Sequence, residues 1–431
     1  QIWCSMSNES TTKTNSEEVE AVLPLLAKPR ASEISLVETT DQLRSAIAIL
    51  RNFPGPFALD AERASGFKYS QRAYLIQVHR RGSPIFLIDP ISISPTSDLA
   101  DFTELADLLS SDIWILHAAT QDIPCLSELG LVPTSVFDTE LGSRIAGLER
   151  VGLSAVTEKL LGLRLAKEHS AVDWSTRPLR SDWLNYAALD VDVLPDLHEA
   201  VAEVLVATNK IDWALQEFDH VAKFKAKSPN PDKWRAMSGL HEVKDSTKLA
   251  IAKAVWTARE QLAQKLDVSP GRLIPDASIV AVARDTPRSR PELSSMKSFA
   301  GRASRSYIDT WWGAVQAGYS DRNPPPVRVK SEGIPNHRTW PNRFPEAHAR
   351  LVQSRELISA RASELNLPQE NLITPDFIRA LCWQPPVEIS ESAVAGELAK
   401  LGAREWQINE VTQLLIEGLA AVPLPTSTDL A

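Results

Sequence analysis

The sequence has 431 residues, 43% hydrophobic and 23% charged, with a formal net charge of −9. That length exceeds what one ordinary core needs and predicts roughly three domains, while no stretch approaches the roughly 18 uncharged apolar residues of a membrane span. Three scattered cysteines, Cys4, Cys125 and Cys382, match neither a disulfide framework nor a thiolate metal site, so a reducing, cytoplasmic setting is expected.

Residues 1–33 are rich in Ser, Thr and Glu and read as a disordered tail. The segment turns polar too early for a signal peptide, and Met6 is a candidate start. Order is expected from SEISLVETTDQ onward. The runs PFALDAE, AYLIQVHR and IFLIDP, separated by polar or Gly/Pro segments, predict neighbouring strands. A helical pattern, DLADFTELADLLSS, leads to another strand-like run, IWILHAA, after which helices dominate to residue 210. This order predicts an α/β domain over 34–210, a sheet with helices on its faces.

A linker is placed at 211–230, most clearly in the basic, proline-containing AKFKAKSPNPDKW. The next unit, 231–320, is helical: Ile251, Val255, Ala258 and Leu262 recur at helical spacing. A second proline-rich linker, 321–342, precedes another helical unit at 343–425. AREQLAQKLDVSPGRLIPD, ending at Asp276, resembles ISARASELNLPQENLITPD, ending at Asp376, so the helical block occurs twice. Charge separates the copies. Residues 221–330 carry 20 Lys plus Arg against 10 Asp plus Glu, whereas residues 381–431 hold 7 acids against Lys400 and Arg404. A basic island is what a polyanion would find, although a solvated charged surface gives the same composition.

The chemistry begins in FALDAERASGF. Alternation along a strand puts the carboxylates of Asp60 and Glu62 on one side, where they suit an oxygen-loving divalent cation; two solvent-facing acids at a strand end are the plainer alternative. Two further motifs favour the metal. WILHAATQDIPCL places Asp122 after a strand ending at His117, and LRSDWLNYAALDVDVL places Tyr186 and Asp190 at i and i+4 on one helix face. Four acids from three elements can hold two metals that polarise a phosphodiester and activate water, with Tyr186 orienting or helping to deprotonate that water.

D-x-E, then H-x-x-x-x-D, then Y-x-x-x-D in this order resembles the DEDD exonucleases, in the branch marked by the tyrosine. LGLRLAKEHSAVDWSTRPL, with Lys167, Ser170, Asp173, Trp174 and Arg177 to Leu179, is similar to bacterial ribonuclease D, and the helical repeats resemble HRDC domains. The resemblance implies a ribonuclease H-like mixed-sheet exonuclease domain followed by two all-α HRDC-type domains. It implies 3′ to 5′ hydrolysis of RNA with release of nucleoside 5′-monophosphates, in transfer RNA maturation or RNA turnover. Asp60, Glu62, Asp122 and Asp190 become ligands of two Mg²⁺ or Mn²⁺ ions, and Tyr186 the water-positioning residue. Members of the family often carry an apolar or aromatic residue after the glutamate and a proline before the second strand; here stand Arg63 and KYSQRAY.

Lys68, Arg72, Lys167 and Arg177 are candidate substrate contacts, with a structural ion pair as the alternative for Arg177. His117 precedes the second acid, and a supporting or substrate-side role suits it better than that of catalytic base. Phe67, Tyr69 and Tyr74 could stack on bases, although core packing is expected for Tyr74; it is also expected for the aromatics of YIDTWWGAVQAGY and for Trp174. A non-catalytic RNA-binding scaffold and an exonuclease acting on single-stranded DNA are the competing functions.

Overall fold

The computed structural model describes residues 23–31, 33–94, 101–166, 172–226, 230–328 and 333–420. Its centre is a six-stranded mixed sheet in the order β2-β5-β4-β3-β6-β7: β2 (Ile34–Val37), β3 (Phe57–Arg63), β4 (Ala73–His79), β5 (Ile85–Ile88), β6 (Trp114–Leu116) and β7 (Val136–Asp138). β3 pairs antiparallel with β4 and parallel with β6. The four expected strands are present, and β2 and β7 extend the sheet at both edges.

Alternation divides the sheet into two buried faces. Leu59, Ile76, Val78 and Trp114 pack in one core with the helices Thr40–Leu50 and Thr103–Leu109. Ala58, Leu75, Leu87 and Ile115 pack in the other, with the helices Ser181–Asp192 and Leu194–Ala207. A small parallel ribbon, β1 (Leu25–Leu26) with β8 (Arg164–Leu165), lies apart.

Two spans differ from expectation. Within the segment read as tail, β1 is paired and Arg30 bridges Asp192 at 2.8 Å and Asp196 at 2.7 Å. The segment read as linker opens with a helix, Ile211–Ala222, whose Ala214, Phe218 and Val221 form a buried stripe.

The first helical unit has its own core around Trp234, Val255 and Trp311. Its long helix Ser246–Leu266 crosses Ile308–Tyr319 so closely that a Cβ on Gly318 would stand 2.5 Å from Ile251 Cα. The second unit repeats this crossing: Pro345–Glu364 meets Glu405–Ala420, and a Cβ on Gly418 would stand 2.8 Å from Ser354 Cα. Both long helices lead into a left-handed residue, Asp267 (φ 46°) and Asn366 (φ 47°).

These two turns dock both helical units onto the sheet domain. Asp267 accepts from the Ser70 amide at 2.9 Å and the Tyr74 hydroxyl at 3.2 Å, and the Ser269 amide donates to Phe67 O at 2.9 Å. Arg272 donates to Gly66 O at 2.8 Å and lies over the Phe67 ring. In the second unit, Lys210 Nζ donates to Leu365 O at 2.7 Å, and Asn366 Nδ2 donates to Gly147 O at 3.2 Å. Arg404 and the Trp406 indole both reach Glu217, at 2.6 and 2.9 Å.

Candidate active site

β3 runs through the middle of the sheet and delivers Asp60 and Glu62 to one cavity of about 700 Å³. Asp60 is paired in register with Gln77 of β4, a fully buried residue whose Nε2 lies 3.5 Å from Asp60 Oδ2. Because β6 runs parallel to β3, its C-terminal end opens at the same place, and Asp122 follows there at the start of the helix Ile123–Ser127. The helix Ser181–Asp192 crosses above, carrying Tyr186 and Asp190 one turn apart into the same cavity.

Oxygens of Asp60, Glu62 and Asp190 all lie within 4.8 Å of one another. Asp122, 6% exposed, lines the same cavity without joining that tight trio. An all-oxygen donor set of this kind fits Mg²⁺ or Mn²⁺ rather than a softer metal.

Burial raises the Asp60 carboxyl to about 6, against the opposing Ala61 amide and Arg63. Glu62 is pushed well above its ordinary range by burial and by repulsion from the other three acids. Burial followed by the charge of Asp60 raises Asp122 and Asp190 as well. Burial, and the carboxylates of Asp190, Glu62 and Asp60, raise the Tyr186 phenol, so it stays protonated and can orient a water as a hydrogen-bond donor.

The loop carrying Asp122 is held by a residue that sequence reasoning missed. Ala118 adopts a left-handed φ of 62°, unfavourable for a residue with a Cβ. Asp138, at the end of β7, accepts from the amides of Ala118 and Ala119 at 3.0 and 2.9 Å while capping its own helix through Glu140 and Leu141. An isolated Asp before Thr-Glu looks like a plain N-cap in sequence; nothing there signals the second pair of amides.

His117 sits beside this loop. Thr139 Oγ1 donates to Leu116 O at 3.1 Å and therefore accepts from His117 Nδ1, 2.9 Å away, which fixes the tautomer. Burial lowers the imidazole to about 4, so it is neutral. It touches the cavity as a supporting group of the loop.

The other nominated cations lie elsewhere. Arg177 spends its fork on fully buried Asp89, at 2.6 and 2.7 Å, and on the carbonyls of Trp174 and Tyr74. It is thus a structural ion pair tying its loop to β4 and β5. Lys68 faces Asp267 at 3.9 Å, and Arg72 lies over the Tyr74 ring at 4.9 Å; neither lines the acidic cavity. Lys167 and Ser170 lie outside the described residues. Tyr74, Trp174 and Trp311 are buried in cores, as expected.

Comparison with known proteins places this geometry. A family model described as 3′-5′ exonuclease matches residues 34–205, the HRDC domain matches 248–315, and a 3′ to 5′ exonuclease C-terminal domain matches 333–419. The HRDC description thus falls on the first helical copy, while the second matches a separate model. Ribonuclease D of Nitrobacter hamburgensis is 28% identical over 65% of this chain and 72% of its own length. That of Desulfotalea psychrophila is 26% identical over 77% of this chain and 86% of its own. A solved protein from Bifidobacterium adolescentis is 34% identical, with 93% of this chain and all of that one covered, at a TM-score of 0.83. Escherichia coli RNase D shares the fold at 23% identity, covering 91% of this chain and 100% of its own, at a TM-score of 0.65. No described helix is long and apolar enough to cross a membrane. With its exonuclease and HRDC segments in this order, the chain belongs to the ribonuclease D family of 3′-5′ exonucleases.

Proposed function

We propose that this chain, a 3′-5′ exoribonuclease by family, uses Asp60, Glu62, Asp122 and Asp190 to hold two divalent cations, Mg²⁺ or Mn²⁺, at the 3′ end of an RNA. The observation that supports this reading is the convergence of Asp60, Glu62 and Asp190 within 4.8 Å, with Asp122 in the same cavity. Bound there, the cations would supply Lewis acidity to the scissile phosphate and the attacking water, and positive charge to offset the leaving oxygen. The chain supplies the rest. Tyr186, kept protonated by its surroundings, orients the water; Gln77 steadies Asp60, and Asp138 holds the loop bearing Asp122. Hydrolysis adds water across the terminal phosphodiester and releases a nucleoside 5′-monophosphate. Transfer RNA precursors or general RNA turnover are the proposed substrates, acted on in the cytoplasm.

The test follows a 5′-labelled oligoribonucleotide with Mg²⁺ or Mn²⁺. Wild type should produce a ladder shortening one nucleotide at a time. Asp60→Ala and Asp190→Asn should each lose more than about a hundredfold in rate, since even residues that merely orient metal ligands matter at that level. Equal rates in all three would reject the assignment. A transfer RNA bearing a 3′ extension, trimmed to its mature end or left intact, tests the finer proposal.

A further inference from the structure

The acidic cavity contains one feature that metal binding leaves unexplained. Arg63 lines it, and among the described residues it is the only Lys or Arg that does. It follows directly on the Asp60–Glu62 pair, at the point where the register between β3 and β4 shifts between Glu62 and Arg63. A bulge of this kind bends the strand and re-aims what comes next.

The environment of Arg63 differs from that of the packed arginines that are spent on acids. Arg80, Arg177, Arg259 and Arg404 each reach an acid at 3.2 Å or closer. The field of Arg63 acts on Asp60, Glu62 and Asp122, yet among the described residues no carboxylate comes within ion-pair distance of its guanidinium. It remains only partly buried. A partly buried arginine beside three of the acids, bound to none of them, keeps its planar fork of donors available. The anion that suits that fork, once cations have covered the acids, is a phosphate oxygen pair.

We propose that Arg63 is a substrate-binding residue that clasps a backbone phosphate of the RNA 3′ end. The inference rests on the exonuclease reading and identifies a cation that the nominated residues Lys68, Arg72 and Arg177 do not supply. Arg63 thereby places the terminal linkage against the acids through a contact independent of base identity.

The experiment measures binding apart from turnover. A fluorescein-labelled single-stranded oligoribonucleotide is titrated by anisotropy, over a salt series with Mn²⁺ present, into Asp190→Asn protein with and without Arg63→Gln. Loss of a charge-assisted contact should weaken binding about 10- to 100-fold. The slope of log affinity against log salt should become shallower by roughly 0.7, the value for one phosphate contact on a single strand. Arg63→Lys should keep the slope and recover only part of the affinity, because a point charge replaces a fork. Unchanged affinity and slope in Arg63→Gln would overturn the proposal. So would a variant that binds Mn²⁺ more tightly in calorimetry while binding RNA as before, since Arg63 would then only offset its acidic neighbours. If wild type degrades RNA and either result is seen, this inference alone falls; if wild type neither binds nor degrades RNA, the exonuclease reading falls with it.

Discussion

Asp60 shows how burial ties protons to metal at this site. Its carboxyl moves from an ordinary 3.8 to about 6 in the folded chain. The native state therefore binds a proton that the unfolded chain has already released between those values, and ionisation costs stability as pH rises through that window. A divalent cation must displace that proton. The gain in melting temperature on adding Mn²⁺ should therefore be largest above pH 7 and shrink as pH falls through about 6, read by scanning calorimetry in matched buffers. Asp60→Asn should flatten that dependence. A gain that grows toward acid would contradict the buried, unneutralised carboxyl. Asp138 acts one step further out. Asp138→Ala strips four amides of their acceptor and should cost about 2–3 kcal/mol in urea unfolding, with Mn²⁺ affinity falling about tenfold or more as the Asp122 loop loses its support. Full stability in this variant would show that the left-handed Ala118 turn holds without it.

Among the elements, the two helical crossings make a sharper case than helix propensity would. Gly318 stands where a Cβ would meet the Ile251 backbone, while exposed Gly313, in the same helix, faces open space. Gly318→Ala should therefore destabilise by about 1–3 kcal/mol through forced separation of the helices, whereas Gly313→Ala should stabilise by about 0.5–1 kcal/mol by restricting the unfolded chain. Thermal melts of the two variants should move in opposite directions; movement in the same direction would refute the close approach. Sequence showed some of this and hid the rest. The acids of β3 were legible because strand alternation alone aims Asp60 and Glu62, and Tyr186 with Asp190 because helical spacing does. β2 and β7, of four and three residues, lack the unbroken apolar run that showed β5 and β6 of the same lengths: ISLV is interrupted by a serine and VFD ends in an aspartate. The helix Ile211–Ala222 was hidden by the basic run that follows it. Arg63 and Asp138 were beyond reach for another reason: a register shift sets where the first stands, and the amides that the second holds lie past a neighbouring strand's end.

For the molecule as a whole, the repeat does more than supply two similar helical units. Each copy ends its long helix in the same left-handed turn, and each turn faces a different wall of the sheet domain: Asp267 at the 66–74 segment behind Arg63 and Ser65, Asn366 at Gly147. Asp267→Ala should leave the overall melt nearly unchanged while hydrogen exchange speeds up across residues 66–72, because it removes contacts at one boundary only. Unaltered exchange there would mean the turn merely rests on the segment. The joints also assign a modest task to the chain that runs between the units. If position is dictated by these two fasteners, the length of the connecting peptide is free to change. Threading several glycines and serines in after Ala226 should leave the small-angle scattering profile unchanged, and the same insertion made on an Asp267→Ala background should let the first unit swing away.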